Sequence, residues 1–197
     1  MKKSPVYLTS TGYDLAMKIL YGKEYFQLYA GVAELIPNNV SVVDVCCGTC
    51  RLYRNLLRKR SSQYLGLDLN RKFIMAAQNR GINAKLFNVL LEDIPSGDYV
   101  VMCSSLYHFQ NVEDDIFDKL IAAACKAVII SEPVKHISNQ LFSLFKPLAN
   151  YLSNPGFGEY HYRYNLQYFK AFAKRHGASQ FISHPSKRNA IAVFRKN

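Results

Sequence analysis

From Ser41 onward the chain alternates short apolar runs with longer amphipathic ones. Val42-Val43-Asp44-Val45-Cys46-Cys47, Tyr64-Leu65-Gly66-Leu67-Asp68, Tyr99-Val100-Val101-Met102-Cys103 and Ala127-Val128-Ile129-Ile130-Ser131 have strand length and little polar interruption. A shorter run, Ala84-Lys85-Leu86-Phe87, lies between the second and third of these. The pattern predicts strands over 41–47, 64–68, 84–87, 99–103 and 127–131, with helices over 50–60, 71–79 and 113–125. Nearly continuous apolar strands separated by helices are the mark of a parallel sheet buried on both faces.

The two ends read differently. Residues 1–36 carry a helical pattern rich in tyrosine (Tyr7, Tyr13, Tyr21, Tyr25, Tyr29), with Ser10 and Thr11 as capping residues. A helix over 137–152 sets Ile137, Leu141, Leu144, Phe145, Leu148 and Leu152 on one face, and Pro147 kinks or divides it. A polar loop over 153–164, a helix over 165–176 and two strands over 179–183 and 190–194 follow. The turn Pro185-Ser186-Lys187-Arg188-Asn189 predicts that the last two strands form an antiparallel hairpin. Neither repeat nor linker interrupts the pattern, so one domain over 1–197 is expected, with 1–36 as a helical cap.

Composition narrows the picture only modestly. A chain of 197 residues, 49% apolar and 20% charged, folds around a substantial core. The net charge of +11 admits nucleic acid, an anionic membrane surface or an acidic substrate as partner. The amino end lacks the apolar run of a signal peptide, and Lys126 breaks the most apolar segment, so no spanning helix is expected. Five cysteines, three of them within 46–50, are poor disulfide arithmetic and suit a cytoplasmic location. The sequence carries no signal for an oligomeric state.

The chemistry centres on Val42-Val43-Asp44-Val45-Cys46-Cys47-Gly48-Thr49-Cys50-Arg51, a buried strand running into a small-residue turn and a basic helix. As a dinucleotide fingerprint it fails, because Arg51 stands where the third glycine is needed for close helix–strand packing. As acidic-x-small-x-Gly-x-small, all four positions fit: Asp44, Cys46, Gly48 and Cys50. This resembles motif I of the class I S-adenosylmethionine (SAM)-dependent methyltransferases, with Cys at two positions where glycine is usual. Cysteine is small enough for close approach but lacks the backbone freedom of glycine.

The resemblance extends from about Tyr13 to Phe194 and implies a three-layer α/β/α sandwich with a seven-stranded, mostly parallel sheet whose last strand is antiparallel. It implies SAM as cofactor. Asp44 would organise the loop, and Gly48, flanked by Cys46 and Cys50, would let the backbone approach the methionine portion. Asp68, which ends the second strand 24 residues after Asp44, would hold the ribose hydroxyls with Leu69 beside it. A helix N-cap is the plainer reading of Asp68. Asn88 would meet the adenine amino group, with Val89 and Leu90 as an apolar edge; the plainer reading is a turn asparagine. Cys103-Ser104-Ser105-Leu106-Tyr107-His108-Phe109 resembles motif IV of small-molecule methyltransferases and lacks the Asn/Asp-Pro-Pro-aromatic motif of base-amine methyltransferases. His108 is either a general base or a residue that orients the loop or stacks over the cofactor. Tyr13 would cover the cofactor. The apolar face of 137–152 and the loop after it read either as the acceptor side, where Tyr107, His161 and Arg163 would contact the acceptor, or as a plain cover for the sheet with a solvated loop.

Two further signals have plain readings. Cys46, Cys47, Cys50 and Cys103 read as small packing residues rather than a metal site, since adjacent Cys46 and Cys47 point to opposite faces if the strand continues. The run Arg51, Arg54, Arg58, Lys59 and Arg60 reads as a largely solvated face rather than a nucleic-acid patch. The function expected is SAM-dependent methyl transfer to a small or lipid-like acceptor. Its rivals are an RNA methyltransferase, a noncatalytic protein of the same fold and, more remotely, a nicotinamide oxidoreductase.

Overall fold

The computed structural model describes residues 12, 14, 23–60, 63–134, 164–183 and 189–196, with side chains in the first long helix from Tyr29 onward. Seven strands form one sheet: β1 (Ser41–Val45), β2 (Gln63–Asp68), β3 (Ala84–Leu86), β4 (Gly97–Cys103), β5 (Ala124–Pro133), β6 (Gln180–Ser183) and β7 (Asn189–Arg195). Their order is β3-β2-β1-β4-β5-β7-β6. The first five pair in parallel, and β7 runs antiparallel to both β5 and β6. The sheet is therefore six parallel strands and one antiparallel strand, closed by the expected β6–β7 hairpin.

Helix α1 (Lys23–Glu34) precedes the sheet, and α2 (Arg71–Gln78), α3 (Glu113–Ala123) and α4 (Leu166–Arg175) fall between strands. Alternate strand residues feed two separate cores. Val42, Tyr64, Tyr99, Val101 and Ile129 pack with Val32, Ile36, Leu57, Ile74 and Ala77 on one face. Val43, Val45, Val100, Met102 and Ile130 pack with Ile116, Leu120, Phe169 and Phe172 on the other. This two-sided burial is why the strands lack polar alternation. No helix among the described residues is long and apolar enough to cross a membrane.

Two elements and one surface differ from expectation. The first strand stops at Val45, because Cys46 takes φ +58° and leaves the sheet. The helix expected over 50–60 is helical from Arg51 but widens into a π-helical turn at Tyr53–Leu57, closed by Arg58 N–H donating to the Tyr53 carbonyl at 2.9 Å. The basic run in this region is less solvated than its spacing implies. Arg51 and Arg54 pair with Asp14 at 3.3 and 3.0 Å, and Arg60 donates to Asn38 Oδ1 and to the carbonyls of Ala33 and Ile36. The helix over 137–152, the loop up to Arg163, and Tyr7, Tyr13 and Tyr21 lie outside the described residues.

Candidate functional site

The strand order reverses between β1 and β4, so the loops leaving β1, β2 and β4 diverge around one crevice at the carboxyl edge of the sheet. Register brings the candidate residues to that edge. Val45 pairs with Leu67 and Met102, so Cys46, Asp68 and Cys103 sit at the same level. Cys103 in turn pairs with Ser131, which places Glu132 just beyond it.

The loop after β1 is built from left-handed backbone. Cys46, Gly48 and Cys50 have φ of +58°, +55° and +54°. Two cysteines thus adopt the conformation that glycine would take without strain; the backbone freedom expected to be lost is used nonetheless. Non-glycine residues there cost roughly 1–2 kcal/mol each. Buried contacts hold the loop. Cys50 is wholly buried, Cys47 N–H donates to the Leu67 carbonyl at 3.0 Å, and Gly48 N–H donates to Asp68 Oδ2 at 2.8 Å. Thr49 Oγ1 donates to Asp14 Oδ1 at 2.7 Å, a further tie on the loop.

Asp44 is 3% exposed and accepts from the Tyr64 hydroxyl at 2.8 Å. Gly66, its partner in β2, leaves room for that contact: a Cβ there would stand 3.2 Å from the Tyr64 hydroxyl. Burial pushes the Asp44 carboxyl up to about 7, against the Tyr64 hydrogen bond and with help from the charge of Asp68. Burial likewise pushes the Cys46 thiol up, reinforced by the carboxylates of Asp68, Asp44 and Glu132. The crevice therefore gathers acids, although the whole chain is basic.

Asp68 does not cap the following helix. Asn70 does, accepting from Lys72 N–H at 3.2 Å, while Asp68 Oδ1 accepts from Asn70 N–H at 2.7 Å. Asp68 thus braces two backbone segments at the crevice, and Leu69 beside it is exposed. Asn88 makes the turn that a turn asparagine would make, with its Oδ1 accepting from Leu90 N–H at 3.1 Å. One lone pair of that oxygen is used, and an amide oxygen carries two. Val89 is buried in the core and Leu90 is half-exposed, so the apolar edge belongs to Leu90 more than to Val89.

After β4, Ser104 turns at φ +54° and two 3-10 turns run from Leu106 to Val112 across a break at Phe109. Tyr107 is buried, and the His108 ring lies against it with centroids 4.1 Å apart. The residue that fixes this loop is Glu132, which the sequence reading missed. Glu132 is fully buried, and its Oε1 accepts from Ser105 and Leu106 N–H at 3.0 and 2.8 Å. The signal was available: an acid directly ending the apolar run of β5, as Asp68 ends β2. A second buried acid, Glu113, closes the other end of the loop and accepts from the Tyr164 and Tyr168 hydroxyls. Glu132→Ala should cost about 2–5 kcal/mol of stability, because two backbone donors lose their acceptor. Glu132→Gln keeps a carbonyl oxygen there and should cost under about 1 kcal/mol; urea unfolding of both variants measures the difference.

Among the described residues no group of three or more His, Cys, Asp or Glu side chains is arranged to hold a metal ion. The cysteine thiols do not converge as a set: Cys47 and Cys50 meet over β2, while Cys46 faces Ser105 and Glu132. The premise that Cys46 and Cys47 alternate along a strand fails, since the strand has already ended.

Residues 42–129 match the family model described as a methyltransferase domain. No curated protein sequence matches the chain. Among solved structures, magnesium protoporphyrin IX methyltransferase from Synechocystis PCC 6803 with bound S-adenosylhomocysteine (SAH) is 17% identical. The match covers 97% of each chain at a TM-score of 0.65. DhpI, in a complex with SAM and HEP, is 13% identical over 95% of this chain and 92% of its own, at a TM-score of 0.69. The [4+2]-cyclase SpnF is 14% identical over 87% and 81%, at a TM-score of 0.64. At these identities the structural likeness is one of fold.

Proposed function

We propose that this chain, whose residues 42–129 match a methyltransferase-domain model, is a class I SAM-dependent methyltransferase that delivers the methyl group to a small, largely apolar acceptor with a polar head. When bound, SAM supplies a methyl group on a cationic sulfonium, already activated for transfer. Acids suit that cofactor. Asp44, Asp68 and Glu132 all lie close enough to Cys46 to act on its thiol, a setting that favours a cation over a phosphate. In this reading Asp68 receives the ribose hydroxyls and Asn88 the adenine amino group, with Leu69 and Val89 nearby. The left-handed turn of Cys46, Gly48 and Cys50 presents backbone to the methionine portion, below Cys103. Tyr13, the sequence neighbour of Asp14, is assigned as the cover; its support is that Asp14 accepts from Thr49 in the cofactor loop.

The observation that carries the acceptor assignment is the clamped loop after β4. Glu132 fixes its start, Tyr107 fills its interior, and the His108 ring lies against Tyr107. The region 137–164 supplies the facing wall, where His161 and Arg163 meet the polar head. Names of relatives support a small-molecule acceptor: one is a porphyrin methyltransferase. The net charge admits RNA as a rival acceptor. That reading loses its clearest patch now that Arg51, Arg54 and Arg60 are engaged within the chain.

The test has two steps. Calorimetry should give SAM and SAH binding to the full chain. Methyl-labelled SAM with fractionated metabolite extracts should then label an organic-soluble product, and labelling of RNA instead would overturn the acceptor assignment. With that acceptor, His108→Ala should lower turnover about 10²–10⁴-fold and remove the acid limb of the pH–rate profile if His108 takes the acceptor proton. Preserved turnover with weakened SAM binding would put His108 in the cofactor pocket.

A further inference from the structure

We propose that Cys47 and Cys50 form a modification site, a dithiol that a small-molecule disulfide oxidises to an intramolecular disulfide inside the cofactor loop. The two sulfurs are 3.5 Å apart, with the Cys50 thiol donating to Cys47 Sγ. Cys50 N–H donates to the Cys47 carbonyl at 2.9 Å, closing a four-residue turn. Such a turn keeps its end Cα atoms within about 7 Å, the separation that a disulfide also requires. Bond formation then needs the sulfurs to close from 3.5 Å to about 2.05 Å without moving the turn ends apart.

The sheet has left space for the pair. Gly66 sits in the interior of β2, a position that weakens a strand and marks close approach by a neighbour. A Cβ there would stand 3.0 Å from both Cys47 Sγ and Cys50 Sγ. The pair is also asymmetric in the way that exchange requires. Cys47 is half-buried, while Cys50 is wholly buried.

The reaction balances as follows. Cys47, having lost its thiol proton, attacks one sulfur of a disulfide RSSR and releases RS⁻, which takes up a proton. Cys50, deprotonated in turn, attacks Cys47 Sγ and releases the second RS⁻, again protonated. Two protein thiols are oxidised and one RSSR is reduced to two RSH. Burial, the Cys50 contact and the nearby carboxylates of Asp68 and Asp44 hold the Cys47 thiol above its ordinary value, so the first step is slow at neutral pH. Because the same turn carries the Gly48 N–H that Asp68 accepts, the oxidation state of the pair acts directly on the cofactor loop.

The experiment uses the full chain with glutathione disulfide as probe, in the absence of SAM. After acid quench, unfolding and alkylation, peptide mass mapping should find Cys47 and Cys50 joined with the loss of two hydrogens, and Cys46 alkylated. Closure should quicken about tenfold per pH unit from neutral upward, following the thiolate fraction. In Cys50→Ala the reaction should stop at a glutathione adduct on Cys47. Gly66→Ala should slow closure at least tenfold. Separate alkylation of Cys47 and Cys50 after exhaustive treatment of the wild-type chain overturns the proposal, as does a glutathione adduct that persists on Cys47 with Cys50 present.

Discussion

Asp68→Ala should weaken SAM binding at least about 100-fold and leave the sheet folded. The carboxylate already braces the crevice, with Gly48 N–H at 2.8 Å on one oxygen and Asn70 N–H at 2.7 Å on the other. A carboxylate offers two acceptor oxygens side by side, the complement of the two hydroxyls of a ribose. Charge-assisted hydrogen bonds contribute about 1.5–3 kcal/mol each, so two of them are worth roughly 3–6 kcal/mol, or two to four decades of affinity. Releasing Gly48 N–H also loosens the loop that meets the methionine portion, which adds to the loss. Calorimetry with SAM, beside a far-ultraviolet circular dichroism melt, separates binding from folding. An unchanged dissociation constant in a folded variant removes Asp68 from the cofactor site. Asp68→Asn, which keeps one acceptor oxygen, should fall between the two.

The sheet was legible because its strands are buried on both faces. Val100 to Met102 and Val128 to Ile130 have nothing polar to obscure them, and their lengths fit strands better than helices. The seven-strand count and the antiparallel last strand followed from the family resemblance, whereas the reversal of order between β1 and β4 is a finding of the structure. What the pattern missed lies where backbone conformation departs from what the side chain suggests. Nothing in the letters Cys46 and Cys50 announces a positive φ, yet both adopt one because Leu67, Asp68 and Asp14 hold the loop from outside. The basic helix misled for a related reason. Spacing alone cannot show that Asp14, some forty residues upstream of Arg54, returns to pair with it.

The site was legible in its acids and less so in its supports. Asp44 and Asp68 stand out because an ionisable residue in or directly after an apolar strand needs a partner. Glu132 meets the same criterion, but the apolar run before it drew attention to Ser131 as the strand end. Glu113 gave no such sign. An acid in the first turn of a helix is ordinary, and only the tertiary fold brings Tyr164, Tyr168 and Arg175 to it, from more than fifty residues away.

Asp44→Asn should make stability insensitive to a titration that weakens the wild-type chain as pH rises. The Asp44 carboxyl has an ordinary value of 3.8 and is pushed up to about 7 in the folded chain, chiefly by burial. Between those values the folded chain holds a proton that the unfolded chain has released. Stability therefore falls as pH rises through this window, and the contribution is fully present only below about 4. A shift of some three units corresponds to on the order of 4 kcal/mol, at about 1.4 kcal/mol per unit. Asparagine is neutral throughout and still offers Tyr64 an acceptor oxygen, so the hydrogen bond at 2.8 Å survives the substitution. Urea unfolding of both proteins at intervals from pH 4 to 8.5 should show the variant gaining on the wild type up to about pH 7, then a constant difference. A difference that stays flat across the range would mean that Asp44 remains ionised in the folded chain. The same titration carries a consequence for binding. A cationic cofactor beside Asp44 favours the carboxylate, so SAM binding near pH 6.5 should release protons from the wild type and fewer from the variant. Calorimetry in buffers of different ionisation enthalpy measures that release directly.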